Sequence, residues 1–415
     1  MNFATNPAHE DIIREATALA SQFSLAYWHA KDQTETYPHE FVDAFADAGW
    51  FGTAIPSQYG GKGLGITEAA LLLHAICETG VGTSGASPIH LAIFPPEPIV
   101  KHGSEAMRQR YLPKLATGEL RMSFGVTEAR AGTDTSRIET RAERDGNGWR
   151  LNGEKAWLSN AQHAQKALIL ARTAPRDPAR PLLGLTLFFA DLDPDYCTLD
   201  VIDKLGRNAV DSNRLVMTDL HVADEDVVGE VGRGFYHLLD GLNPERIVIA
   251  MEAIGIGRAA LRLATQYATE RIVFERPIGA NQAIAHPLAR AWADLAAAEL
   301  LAMKAAWLFD NGLPCGAEAN AAKLLAADAG FAACDAALQT LGGRGYRTDT
   351  HIERLWREVR LYRIVPISNE MALNYPASHV LGLPRSYWSG VQKHCPDLVG
   401  TMLLHAALTS PPPWS

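Results

Sequence analysis

Phe124-Gly125-Val126-Thr127-Glu128-Ala129-Arg130-Ala131-Gly132-Thr133-Asp134 is followed, after a turn, by Leu151-Asn152-Gly153-Glu154-Lys155-Ala156-Trp157-Leu158-Ser159-Asn160. The first stretch sets small, backbone-exposing residues beside the hydroxyls of Thr127 and Thr133 at the edge of a predicted strand. It can offer N–H and O–H donors to a polar ring or a phosphate. Taken alone, it reads equally well as an ordinary β-loop. The second stretch adds a tryptophan next to a hydroxyl, and the two together are the most informative part of the chain.

Around them the pattern is β. From Arg121 to about Val231, short runs such as Leu183-Gly184-Leu185-Thr186-Leu187-Phe188-Phe189 alternate with turn clusters such as Asp145-Gly146-Asn147-Gly148. Antiparallel strands in a small barrel or sandwich are the simplest expectation. On the amino-terminal side the apolar spacing is helical: Ile12, Ile13, Ala16, Leu19 and Ala20, then Leu71, Leu72, His74 and Ala75 after a Thr67 suited to capping. After Gly232 long alanine-rich periodic segments run to about Leu381 and predict a four-helix bundle. The division expected is an α-helical domain over 1–120, a middle β domain over 121–235, a four-helix bundle over 236–383, and a tail over 384–415 that ends extended at Pro411-Pro412-Pro413. The fold class is therefore mainly α with a middle β domain.

Composition narrows the function. A chain of 415 residues, 47% hydrophobic and 20% charged, has material for a large core and for two or three domains. A net charge of -9, with both signs scattered, leaves no basic stripe for nucleic acid or an anionic membrane. The 5 cysteines are odd in number and widely spaced, with no C-x-x-C pair, which predicts free thiols in a reducing cytoplasm and no metal site. Met1 to Glu10 lacks the pattern of a secretory signal. The longest apolar runs fall well short of the ~20 residues of a membrane helix.

In these two central stretches the sequence resembles the acyl-CoA dehydrogenase family, which holds a flavin between two such strands. The resemblance extends from about Glu10 to Leu383 in the same order. It includes Ala46-Asp47-Ala48-Gly49-Trp50-Phe51-Gly52, the Tyr59-Gly60-Gly61 loop, Arg271-Ile272-Val273-Phe274 with Pro277-Ile278 and Gln282, and Gln339-Thr340-Leu341-Gly342-Gly343-Arg344-Gly345-Tyr346. It implies the acyl-CoA dehydrogenase fold and FAD as cofactor. Phe124, Val126, Thr127, Gly132, Thr133, Trp157 and Ser159 are then expected to line the flavin of their own subunit, with Thr127 on the isoalloxazine edge and Trp157 over its face. Arg271, Phe274, Gln282, Gln339, Gly342 and Gly343 are expected at the adenosine diphosphate end of a neighbouring subunit's FAD, which implies a homotetramer. Ser368 and Glu370 match positions that touch the nucleotide. Electron-transfer flavoprotein is the acceptor the family implies.

Gly255-Ile256-Gly257-Arg258-Ala259-Ala260 fits a dinucleotide-binding G-x-G-x-x-A pattern, yet it lies within a continuous helical periodicity, so its glycines read as helix-packing contacts. The family's usual base, a glutamate in I-Y-E-G-T-S-E-I, is replaced: the matching stretch is Ile364-Val365-Pro366-Ile367-Ser368-Asn369-Glu370-Met371. Isovaleryl-type and long-chain-type members carry the glutamate on another helix in an L-x-x-E-R segment, which Leu242-Asn243-Pro244-Glu245-Arg246 matches. Glu245 is thus the expected base, with Arg246 orienting it or the flavin. Asn243 and Pro244 read as cap and first residue of a helix, which would place Glu245 in the opening turn, where the helix dipole and Arg246 favour its ionised form, while desolvation by a bound acyl chain pushes the other way and raises its basicity. Alone, Glu245 reads as a helix-stabilising carboxylate.

The resulting expectation is α,β-dehydrogenation of an acyl-CoA, with the thioester carbonyl polarised by a flavin hydroxyl and a backbone N–H near the 366–367 link. The rival readings are a flavin monooxygenase of the same fold, a non-catalytic acyl-CoA-binding flavoprotein, and an acyl group carried on a protein. Glu275, where the family has glycine, and Ala129-Arg130, in place of proline-glycine, depart from the pattern.

Overall fold

Helices from the two ends of the sequence pack together around one core, and the sheet made from its middle lies beside them, in a computed structural model that describes residues 6–384. The expectations for the tail, including Pro411-Pro412-Pro413, lie outside the described residues.

The amino-terminal part comprises α1 (Pro7–Ala20), α2 (Leu25–Thr34), α3 (His39–Asp47), α4 (Ile66–Ile76), α5 (Gly82–Ile93), α6 (Glu97–His102) and α7 (Glu105–Thr117). α1 starts where sequence chemistry allows, with the Asn6 side chain accepting from Ala8 N at 3.1 Å and Pro7 as the first helical residue. Thr67 does not cap α4. That helix begins at Ile66, behind a Gly65 that has no side chain to offer. Its free N–H groups are instead taken by Asp310, at 2.9 Å from both Ile66 N and Thr67 N.

The middle contains β1 (Met122–Gly125), β2 (Arg141–Asp145), β3 (Gly148–Ser159), β4 (Lys166–Arg172), β5 (Leu185–Asp191), β6 (Cys197–Val201), β7 (Ser212–Ala223) and β8 (Val227–Val228), in the order β6-β7-β3-β2-β4-β5-β8 with β1 beside β4. The sheet is mixed, where an antiparallel one was expected: β1 runs parallel to β4, and β2 touches β4 in parallel at Arg141 and Arg172. The long loop after β1 and the β2–β3 hairpin return the chain so that β4 runs in the direction of β1. Leu168 and Leu170 of β4 face the α7 core, whereas Ala167, Ile169 and Ala171 pack with β3 and β7. Burial on both faces explains the unbroken apolar runs of β4 and β5.

The last part has three long antiparallel helices, α8 (Gly234–Glu270), α9 (Gln282–Asp310) and α10 (Gly316–Leu341). The hairpin of β9 (Ile272–Val273) and β10 (Arg276–Pro277) joins the first two. A broken fourth element, α11 (Ile352–Val359), a 3-10 turn and α12 (Asn369–Tyr375), completes the bundle. Gly255 and Gly257 serve close packing: a Cβ on Gly255 would lie 2.6 Å from His74 O, and one on Gly257 3.1 Å from the Cα of Gly330. Among the described residues no helix is long and apolar enough to cross a membrane.

Candidate active site

The β1–β3 edge is built around a buried ion pair. Lys155, wholly sealed from solvent, donates to Glu128 Oε1 at 2.7 Å and to Val126 O at 3.2 Å. Glu128 also accepts from Glu139 N at 2.7 Å and Thr140 N at 3.0 Å. These bonds, with Ala156 N to Thr127 O at 2.9 Å and Ser123 Oγ to Ser159 O at 2.8 Å, hold the segment from Phe124 to Thr127 against β3. The β3–β7 register slips between Lys155 and Leu158, and Trp157 lies in that irregularity with φ 65. A bulge of this kind turns one side chain out of the sheet. The indole is accordingly 56% exposed.

Phe124, Val126, Thr127, Trp157 and Ser159 therefore share one half-open edge, with Gly132 and Thr133 exposed beyond it. A Cβ on Gly132 would have nothing within 4 Å. Met122 and Asn160, close in sequence to this edge, line a shallow open depression with Tyr37, Phe51, Leu91 and Leu120. The buried Asn160 Oδ1 and Arg207 Nε have no protein partner. An exposed indole face, two hydroxyls, free backbone and unsatisfied buried polar atoms are what a flat, polar-edged ring such as isoalloxazine requires. The residues fit a flavin.

Arg207 was not singled out in the sequence. Its Nη2 donates to Ser159 Oγ at 2.9 Å and to Ser212 Oγ at 2.6 Å, and its Nη1 to Ser87 Oγ at 3.4 Å. Its partners lie on three different elements, so no local spacing marks it.

Glu245 does not open a helix. α8 already starts at Gly234 and runs 37 residues with Pro244 inside it. Interior proline is unfavourable in a free helix, and the packing of α8 across the whole core outweighs that local preference. Asn243 is accordingly no cap: its Oδ1 accepts from Arg246 Nη1 at 2.9 Å. The expected dipole effect is absent. Burial instead dominates and pushes the Glu245 carboxyl up to about 7, against the pull of the His90 and Arg246 charges and with the push of Glu252. Arg246 makes its hydrogen bond to Asn243, so it acts on Glu245 through its field.

His90 and Glu252 are further residues that sequence reasoning missed. His90 Nδ1 lies 2.8 Å from Glu252 Oε1, and Tyr362 OH donates to Glu252 Oε2 at 2.5 Å. Burial disfavours the His90 cation, but Glu252 and, after it, Glu245 hold the imidazole above its usual range. Pro366 stands at the end of this cluster's chain segment, which is tied to α10 by Lys323 Nζ donating to Ile367 O at 2.7 Å and to Asn369 Oδ1 at 2.9 Å. Ser368 caps α12 and Glu370 lies exposed in its first turn.

The remaining expected site residues collect elsewhere. Arg271, Phe274, Gln282, Gln339, Gly342 and Gly343 are all exposed, at the bundle end where α8 and α10 finish. Arg344 stacks over Tyr267 at 5.4 Å, bringing the two helix ends together. Glu245 precedes Arg271 by 26 positions of one helix, which is ~39 Å along the axis. The two therefore lie far apart along the bundle. Among the described residues no cluster of His, Cys, Asp and Glu is arranged to hold a metal.

Three family models match in order: "Acyl-CoA dehydrogenase, N-terminal domain" over residues 6–119, "middle domain" over 123–220, and "C-terminal domain" over 232–381. The chain is 33% identical over 392 residues to acyl-CoA dehydrogenase fadE12 of Mycobacterium bovis, covering 93% of this chain and 99% of the relative. It is 33% identical over 363 residues to the mitochondrial short-chain specific acyl-CoA dehydrogenase of Homo sapiens, covering 86% and 85%. The structure of glutaryl-coenzyme A dehydrogenase in complex with glutaryl-CoA superposes with a TM-score of 0.88 at 28% identity, over 93% of this chain and 98% of that one.

Proposed function

The chain belongs to the acyl-CoA dehydrogenase family, and from that premise we propose that Glu245 removes the α-proton of an acyl-CoA whose β-hydride leaves to FAD. It is a flavoprotein acyl-CoA dehydrogenase with FAD as its cofactor. When bound, FAD supplies the hydride acceptor and the polar ring that substrate lies against.

The observation that carries the base assignment is the environment of Glu245. A carboxyl displaced to about 7 is partly ionised at neutral pH and far more basic than a solvated one, as α-proton abstraction requires. Pro366, at the family's usual base position, has neither a carboxylate nor an N–H. The amide donor to the thioester carbonyl is then that of Ile367. Arg246 and His90 limit how far the Glu245 proton affinity rises, and Glu252 opposes them. Trp157 covers one face of the flavin, and Thr127 and Ser159 contact its edge, with Phe124, Val126, Gly132 and Thr133 alongside.

Arg271, Phe274, Gln282, Gln339, Gly342 and Gly343 serve a neighbouring subunit's FAD, within a homotetramer. Support comes from Phe274, 93% exposed, and from Trp292, Leu300 and Trp307, which leave an apolar stripe open along α9. Electrons then pass to an electron-transfer flavoprotein. A monooxygenase of this fold needs no α-proton base, and the basic, enclosed Glu245 favours dehydrogenation over it.

Anaerobic titration of the holoprotein with straight, branched and aryl acyl-CoAs, followed by flavin absorbance, tests the reading. Bleaching in the wild type and its loss in a Glu245→Gln variant that retains FAD are expected. Bleaching that survives the substitution removes Glu245 from the role, and reduced flavin that yields hydroxylated product in air points to the oxygenase.

A further inference from the structure

Arg207 has the bonding pattern of a charge placed for a ligand. Its three hydrogen bonds go to the serine hydroxyls of Ser87, Ser159 and Ser212, none of them an anion. Its Nε is buried without a partner. Its backbone sits in the left-handed region at φ 60, which a non-glycine residue adopts only when the surrounding structure imposes it.

None of the carboxylates around it is hydrogen-bonded to it, although the buried Asp211 Oδ1 has no hydrogen-bond partner of its own. Glu252 is held by His90 and Tyr362. Glu358 accepts from Arg354, Thr83 and Ser84. Asp211 Oδ2 accepts from Gln162 N at 3.1 Å and from the Asn213 amide. A guanidinium without a hydrogen-bonded counter-ion gains by facing developing negative charge.

The contact with Ser159 has a directional consequence. A guanidinium has only donors, so Ser159 Oγ must accept from Arg207 and its own hydrogen must point elsewhere. Ser159 ends β3 at the edge where Phe124, Thr127 and Trp157 gather. We infer that Arg207 is a positioning residue that fixes the Ser159 hydroxyl as a donor to the flavin ring and sets a positive charge behind it, favouring the reduced flavin. This rests on FAD lying along the β1–β3 edge, as proposed above.

The test is the midpoint potential of the purified holoprotein, measured by dye-coupled anaerobic reduction, for wild type and the Arg207→Met, Arg207→Lys and Ser159→Ala variants. Arg207→Met and Ser159→Ala are both expected to shift the potential to more negative values, with Arg207→Lys between Arg207→Met and wild type. An Arg207→Met protein that retains FAD at the wild-type potential overturns the inference. So does an unchanged potential in Ser159→Ala, which decides the matter should Arg207→Met fail to fold. Wild-type protein that holds no FAD refutes the underlying cofactor placement, a failure visible before any variant is compared.

Discussion

His90 Nδ1 meets Glu252 Oε1 at 2.8 Å, joining α5 to the helix that carries Glu245 seven residues earlier. The candidate base thus sits in a wall of buried charge, where its protonation is set by neighbours and by the loss of water.

Flavin reduction by substrate should follow that protonation. With the Glu245 carboxyl at about 7, the rate of bleaching is expected to rise with pH through this region and level off above it, because only the ionised form accepts a proton. Stopped-flow reduction across roughly pH 5.5 to 9, over which the rate is expected to rise about 30-fold through the pKa and then reach a plateau, checks this, and a flat profile removes the assignment.

Folding stability should show the same group from the other side. Below its ordinary pKa of 4.5 the carboxyl is neutral folded or unfolded. Between 4.5 and about 7 the unfolded chain ionises while the folded one keeps its proton, and above about 7 the folded state carries the full burden of a buried charge. The displacement corresponds to ~3 kcal/mol. Glu245→Gln is therefore expected to raise Tm relative to wild type at pH near 8, with the difference fading as pH falls toward the ordinary carboxylate range. A constant difference across pH would mean that the group ionises without penalty.

Lys155→Met should leave Glu128 charged, buried and without its cation. Breaking one side of such a pair costs ~3–5 kcal/mol. The bond to Val126 O goes with it, so weaker FAD retention is expected beside the lower Tm. Calorimetry and flavin content after gel filtration measure the two effects.

At the hairpin tip, Phe274 and Glu275 have φ 51 and φ 63. Two such residues between β9 and β10 form the turn that asparagine-glycine makes most easily. Glu275→Gly is expected to relieve ~1 kcal/mol of local strain, read as a small rise in Tm. Phe274→Ser is expected to spare the subunit fold while promoting dissociation and loss of FAD, followed by light scattering and absorbance. A variant that stays assembled and yellow would place Phe274 outside the shared site.

The two stretches quoted first carried most of what could be foreseen. Strand alternation and helical periodicity located the sheet between the helical parts, because both signals arise from neighbours in sequence. Other features depend on partners remote in the chain. Asn243-Pro244 has the local chemistry of a helix start, and only the core contacts of α8 carry the helix through it. Arg207 draws its meaning from serines 120, 48 and 5 positions away. His90 is a lone histidine until Glu252, 162 residues later, lies beside it. A glycine would suit position 275 because the turn there holds positive φ, a requirement that the local sequence does not display.

The capping of α4 by Asp310 also orders events during synthesis. The first turn of α4 lacks its carboxylate partner until about 244 further residues have left the ribosome. At ~5–20 residues per second this is a wait of tens of seconds at the slower rate. Until then only Glu68, which accepts from Gly65 N, caps the start of α4, and a chain truncated before Asp310 would never complete that junction.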